Sequence, residues 1–274
     1  LTDKNWAFTA SYSRRWSQRG YEQGTFYDGN SFFVSAEKIF NSRHSLNFTA
    51  LDAIYQRGVA GGTTQEAYDL INDNNYNPYW GYQNNEVRNS RVRSNNRPLF
   101  TLSHNWNVTD RFNIQSTAGY WFGRSGYTAL NWQYEADPRP DYYKYLPSYY
   151  TGQHDIDSIT NLWQHDRNYS HIKWDDMYFA NRKNIYNVTD ANGIAGNNVY
   201  GNRSKFIVED RRNDISQFQF NTRASWDSRE NLNITGGLLV DMYRGHNFNT
   251  VKDLLGGDYW LDIDNYAETD YGVG

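Results

Sequence analysis

The sequence predicts an all-β fold, an antiparallel transmembrane β-barrel to which the 274 residues contribute about seven strands. Three observations predict it. Successive segments alternate between apolar and polar side chains. The links between them are short at one end and long at the other. Aromatic residues recur on the apolar side close to the short links and again ten positions further along.

Seven segments carry the alternation: 5–16, 24–39, 45–57, 97–107, 111–124, 203–226 and 231–245. Neighbouring side chains of a strand point to opposite faces. In the first segment Trp6, Phe8, Ala10 and Tyr12 oppose Ala7, Thr9, Ser11 and Ser13. In the third, Leu46, Phe48, Ala50 and Ile54 oppose Asn47, Thr49 and Tyr55. The fifth sets Phe112, Ile114, Ala118, Tyr120 and Phe122 against Asn113, Gln115 and Thr117. The sixth sets Phe218, Phe220, Ala224 and Trp226 against Gln217, Gln219, Asn221 and Arg223, and the seventh Leu232, Ile234, Leu238, Val240 and Met242 against Asn233, Thr235 and Asp241. Asp52, His104 and Thr222 break the apolar face; a bulge would re-aim such a residue, and a local irregularity is expected at Asp52.

Short polar turns stand at 40–45, 107–111 and 227–231, with 1–5 as the end of a fourth. On the other side lie long connections at about 58–96, 125–202 and 246–274. Outer-membrane barrels have this asymmetry, with tight periplasmic turns and long extracellular loops. Trp6, Trp106, Phe112 and Trp226 sit near the short turns; Trp16 and Phe122 follow ten residues after Trp6 and Phe112. Ten strand residues span roughly 33 Å, or about 25 Å of height at a tilt of ~40°, which matches an apolar band with an aromatic girdle at each rim. A soluble antiparallel sheet would show the same alternation but explains neither the loop asymmetry nor the aromatic spacing.

Composition agrees with an extended β protein carrying large polar loops. Mean hydropathy is −0.92, yet aromatic residues make up 18 % of the chain, too many for ordinary disorder. No run of ~20 apolar residues is present for a membrane helix, and the stretch LTDKNW has neither the basic start nor the apolar core of a secretory leader. The net charge of −4 gives no reason to expect nucleic acid, and the absence of cysteine excludes disulfides and thiolate chemistry.

Nothing in the sequence points to an enzyme. No catalytic residues, cofactor or metal site are expected. The six histidines form no metal-like pair, His165 and His171 being the nearest. The acidic stretch 258–270, with Asp258, Asp262, Asp264, Glu268 and Asp270, lacks the turn glycine of a calcium loop and reads first as solvated. The functional candidates are loop residues able to stack on or hydrogen-bond a ligand: Trp80, Tyr82, Arg88, Arg91, Trp132, Tyr142, Tyr143, Tyr145, Trp163 and Trp174. Packing of the loops on themselves is the competing role for each ring. Arg88, Arg91 and Arg93 are further candidates for an anionic ligand, lipopolysaccharide or carboxylates of a plug. Residues 172–184 predict a short amphipathic helix.

The segment NPYWGYQNNEVRNSRVRSNN at 77–96 resembles the region after an early barrel hairpin in TonB-dependent receptors of Bacteroidetes-type bacteria, and WAFTASYSRRW, DPRPDYYKYLPSYY, WDDMYFANRKN and RSKFIVEDRRND fit the same family. The resemblance implies an outer-membrane importer of bulky nutrients (glycan, peptide or iron chelate). Its 22-stranded barrel would be filled by a plug that TonB moves. Residues 77–96 would then be the tip of an extracellular loop returning into the wall. Gln217, Gln219, Asn221 and Arg223 would face the plug, while outer-membrane lipid and lipopolysaccharide would meet the other face. Family analogy adds a surface lipoprotein of the SusD type as a candidate partner. The chain itself reads as a barrel segment with no plug, so transport can belong only to its parent. The alternative is a non-transporting barrel serving as a structural or adhesion subunit.

Overall fold

A computed structural model describes residues 2, 4–229 and 232–263. In chain order the elements are β1 (Trp6–Ser17), β2 (Tyr27–Ile39), β3 (His44–Gly58), α1 (Gln65–Ile71), β4 (Trp80–Gln83), β5 (Glu86–Asn89), β6 (Val92–Asn96), β7 (Leu99–Thr109) and β8 (Phe112–Trp132). They continue with α2 (Gln153–His165), α3 (Trp174–Arg182), β9 (Ile185–Val188), β10 (Val199–Asn202), β11 (Phe206–Arg229) and β12 (Leu232–Asp253). The architecture is all-β, dominated by one antiparallel sheet in which β6 and β7 lie end to end between β3 and β8. Eight strands therefore fill seven positions in sequence order, as the alternation predicts. Among the described residues no helix is long and apolar enough to cross a membrane.

The connections are one-sided. Residues 40–43 and 110–111 close tight turns, and β11 and β12 pair up to Arg229 and Leu232. At the opposite end the links run over 18–26, 59–91 and 133–205. Three predicted boundaries need correction. β8 runs on to Trp132 and β12 to Asp253, so 125–132 and 246–253 are strand rather than loop. Residues 92–96 belong to the sheet as well. In the β8 extension Leu130 and Trp132 pack on loop elements instead of continuing the exposed apolar series, and the even positions 246, 250 and 252 of β12 are polar, so strict alternation finds neither.

Asp52 causes no bulge in its own strand; the pairing of β3 with β2 is continuous through it. The irregularity lies next door, between β6 and β7. Pro98 has no N–H to give to the ladder, and the free Arg97 N–H donates to the Asp52 carboxylate at 3.2 Å. β6 and β7 keep the same register on β3 and β8 across this gap. Gly123 stands opposite it with φ +131°, where a Cβ would lie 2.2 Å from the Asn96 carbonyl oxygen. Only glycine takes that conformation without strain. The Arg97 guanidinium then crosses to Asn213 on β11, donating to its backbone and side-chain oxygens at 2.6 and 2.7 Å.

The other two polar intruders are also paired. His44 and His104 stack with centroids 5.4 Å apart, and the Nδ1 of His44 lies 3.1 Å from the Nε2 of His104. The Ser116 and Thr222 hydroxyls meet at 2.9 Å. Hydrogen bonding of this kind lowers the cost of carrying polar groups on an apolar surface.

Among the described residues nothing packs over most of that surface. Even-numbered side chains from all seven positions form one face, on which Phe8 is 67 %, Leu238 57 % and Met242 59 % exposed. The predicted girdle residues Trp6, Trp16, Trp106, Phe122 and Trp226 are all exposed on it, and Phe112 is half-buried among its neighbours. The apolar series stops at a polar row. Arg14, Asn30, Asn96, Arg124, Asp214 and His246 fall on it in the strand registers, with Ile54 its one apolar member. Arg14 pairs with Asp28 just beside it. The opposite, odd-numbered face is mainly polar, crossed by one apolar row of Phe33, Leu51, Leu99 and Trp121 in register.

The buried cores lie at the loop end. One joins Leu130, Phe206 and Val208 of the sheet to Ile172, Trp174, Met177 and Leu255; the other joins Ala67, Tyr76, Leu146 and Trp163. The loops thus form a folded cap. α1 enters it with Thr64 accepting the Ala67 N–H, and leaves through Asn72 in the left-handed conformation. Fully buried Asn181 on α3 ties the layers, donating to Phe206, Leu254 and Leu255 carbonyls and accepting from Lys205 and Phe206 N–H groups.

Candidate functional site

The cap and the polar face beneath it hold every predicted ligand residue, in two environments. Trp80, Trp163 and Trp174 are structural and cannot reach a ligand: all three are buried. Trp163 donates its indole N–H to the Tyr145 carbonyl at 2.8 Å. Trp80 packs edge-on against His171, centroids 4.3 Å apart. Residues 77–96 anchor the cap at their buried positions, with the hairpin turn at 84–87 exposed. Asn77 is fully buried, its amide donating to the Gln23 carbonyl, and β4 and β5 form a hairpin docked on residues 170–174. Val92–Asn96 does return into the wall as expected.

Arg88 is likewise a clasp. Its guanidinium bonds the Asp253 carboxylate at 2.6 Å and Gln83 at 2.7 Å, and stacks 4.1 Å above the Trp174 ring. Burial alone would raise the Asp253 pKa. Hydrogen bonds from Arg88, the Leu255 N–H and Tyr178 outweigh it and hold the carboxyl below its ordinary 3.8. A depressed carboxylate contributes stability that is present above its unfolded pKa and lost as pH falls through the folded one. Acidification below pH 3.8 should therefore loosen the β4–β5 hairpin. Pepsin cleavage within 80–89 should rise steeply in that range, and Asp253→Asn should remove the pH dependence.

Tyr142, Tyr143 and Tyr145 join Tyr149 and Tyr150 in a chain of edge-to-face contacts with centroids 4.7–5.5 Å apart. Tyr143 and Tyr149 are exposed; Tyr142 and Tyr145 are half-buried, and burial raises the Tyr145 pKa. Tyr82 is covered by Arg167, whose guanidinium lies 3.6 Å from its ring. The acidic stretch is only partly visible. Asp258 accepts the Asn202 N–H at 2.7 Å, while Asp264, Glu268 and Asp270 lie outside the described residues. His165 and His171 are occupied separately, by the Asn161 and Arg167 carbonyls.

Arg91 and Trp132 line a recess of about 570 Å³ between the cap and the sheet, together with Tyr79, Asn131, Arg139 and Arg211. Arg139 forms a bidentate pair with buried Asp137, and Arg211 bonds buried Glu209 at 2.5 Å. Arg91 stacks on Tyr79 at 4.5 Å and donates to its hydroxyl at 3.2 Å. Among the described residues it has no carboxylate partner. Arg91 and Arg211 also approach the Tyr127 ring, at 5.7 and 5.9 Å. Tyr127 and Arg211 are odd-numbered and in register with each other, so the recess opens on the polar face.

Further along that face, a second hollow of about 520 Å³ is lined by Thr101, Thr117, Trp121, Gln217, Gln219 and Asn221. Gln217 and Gln219 both donate to Asp241 at 3.0 Å, and Arg223 reaches Ser225. The four predicted polar-face residues thus share one surface. Sequence reasoning missed Tyr79, Tyr127, Arg139 and Arg211 in the recess. Extending the sixth strand's alternation upward would have found Arg211, whereas Arg139 comes from an irregular segment with no periodic signal. No protein-family model and no curated protein matches the chain.

Proposed function

We propose that the chain forms part of the wall and extracellular loops of a bacterial outer-membrane β-barrel, the parent being a TonB-dependent importer of a bulky nutrient. The observation that carries this reading is the exposed apolar band, continuous over seven strand positions and ending at a row of charged and amide side chains. Soluble monomers rarely expose contiguous apolar patches beyond a few hundred Å². A band about 25 Å tall that faces lipid has no such limit.

Two further features support the membrane setting. Among the described residues β1 and β12 each pair on one side only, and long open edges are a liability unless other strands close them. The remaining strands of the parent barrel would do so. The short links then face the periplasm, and the cap faces outward. The importer assignment comes from the resemblance of residues 77–96 and the related stretches to TonB-dependent receptors. In that setting the polar face meets a plug that TonB displaces. Lipid and lipopolysaccharide cover the band, and a SusD-like lipoprotein could close over the cap. The neutral, aromatic-rich loops favour a glycan or peptide over an iron chelate.

Outer-membrane fractionation of the native parent tests the location. Peptide mapping of the same material tests the importer reading. The folded protein should require detergent for extraction, and its polypeptide should include a plug with a TonB-contacting segment. Recovery as a detergent-free soluble protein would remove the membrane reading. A membrane protein without a plug would instead favour a structural or adhesion barrel.

A further inference from the structure

The polar face carries arginines that no carboxylate among the described residues neutralises. Arg57 on β3 and Arg93 on β6 are directly opposite each other in register, and the same row continues through Tyr127 to Arg211. Both Arg57 and Arg93 are exposed, and among the described residues neither pairs with a carboxylate. Like charges placed directly opposite on a sheet repel and destabilise it. Arg91 stands beside this row, stacked on the Tyr79 and Tyr127 rings and hydrogen-bonded to the Tyr79 hydroxyl, with no carboxylate partner among the described residues. Beside the recess, the carboxylates of Asp137 and Glu209 are committed to Arg139 and Arg211. Asp141 is held by Thr63, and burial raises its pKa, which lowers the charge it offers.

Three guanidiniums with no carboxylate partner among the described residues, on one side of a sheet, suit an anion with more than one negative group. Strands lie ~4.8 Å apart, so Arg57 and Arg211, three positions apart in the sheet, are separated by about 14 Å along the row. Guanidinium binds carboxylate and sulfate groups with paired parallel hydrogen bonds. Polyhydroxyl recognition is provided alongside. Tyr27 and Tyr55 stack on the same face at 5.9 Å, and Asn95 and Asn131 put amides above and below the row.

We propose that this face, from Arg57 through Arg93 and Arg91 to the recess at Arg211, binds an acidic oligosaccharide, its carboxylate or sulfate groups on the arginines and its rings on the tyrosines. The proposal rests on the importer reading in one respect, that this face is the channel interior, and narrows the cargo to an anionic glycan. It explains why opposed arginines stand in register at the one end of the sheet that opens beneath the cap.

The test is calorimetric titration of the detergent-purified parent with trigalacturonate and with its fully methyl-esterified counterpart. The ester keeps every ring and removes every charge. Trigalacturonate should bind at least tenfold more tightly than the ester. The double variant Arg57→Gln/Arg93→Gln should lose tenfold or more in affinity, while Arg19→Gln, an exposed arginine in the β1–β2 link, should stay within twofold. Thermal unfolding without ligand supplies a second readout. Relief of the opposed charges should leave the double variant's unfolding temperature equal to or above that of the unchanged protein. Equal binding of acid and ester would overturn the proposal. So would no binding of either, a double variant indistinguishable from Arg19→Gln, or tighter binding of hexaglutamate than of trigalacturonate. None of these results would affect the outer-membrane location, which the fractionation experiment tests separately.

Discussion

On the proposed outer-membrane reading, Phe220→Arg should remove the parent protein from the membrane, and Gln219→Arg should not. The two residues are adjacent on β11 and point to opposite faces. Phe220 lies near the middle of the apolar series that runs from Trp226 to Phe218, flanked in register by Ala118 and Val240. An arginine facing the bilayer midplane of a barrel costs about 2–4 kcal/mol, and one facing the lumen far less. Gln219 already shares Asp241 with Gln217, so an arginine there gains an acidic neighbour. Quantifying folded protein in outer-membrane fractions checks the pair. On a soluble sheet with a solvated apolar face, both substitutions would be nearly neutral.

Trp174→Ala should have a comparable effect on stability with a different outcome. The ring is fully buried among Leu130, Ile172, Met177, Phe206, Val208 and Leu255. Its N–H donates to the Arg88 carbonyl at 3.2 Å, and the Arg88 guanidinium covers its face. Truncating a buried tryptophan to alanine costs about 3–5 kcal/mol. The loss falls on the cap, because the core holding Trp174 is confined to the loop end of the sheet. The variant should therefore still reach the outer membrane while its surface loops become sensitive to protease added to whole cells. A variant with resistant loops, or one missing from the membrane, would show that cap and wall do not separate in this way.

Much of the wall was legible because a strand with two different environments must alternate. Trp6 to Tyr12, Phe112 to Phe122 and Phe218 to Trp226 each write their exposure into every second position. The upper strand segments were not legible. At Leu130, Phe206 and Val208 the even face turns from exposed to packed, and both faces meet protein. The break at Arg97–Pro98 was visible as a proline but not as the cause of the Asp52 anomaly, since Arg97 and Asp52 are 45 positions apart and meet only through strand pairing. The loop aromatics illustrate the limit of composition. Trp163 and Tyr143 look alike in sequence, yet one fills a core and the other faces out. Which of them does so depends on contacts between α2, α1 and the turn at Leu146, all far apart in the chain. Arg57 and Arg93 were each readable as polar-face residues, but only strand register places them side by side.

The chain has no cysteine, so nitroxide labels can be placed singly along β11 at positions 217 to 224 of the parent without a competing thiol in this segment. Measuring label accessibility to oxygen, which partitions into lipid, and to a water-soluble nickel complex tests the orientation of the wall directly. Labels at 218, 220, 222 and 224 should meet oxygen and exclude nickel, with labels at 217, 219, 221 and 223 showing the reverse or protection from both. Even positions shielded from oxygen and nickel alike would mean that the apolar face packs on protein, contradicting a lipid-facing wall.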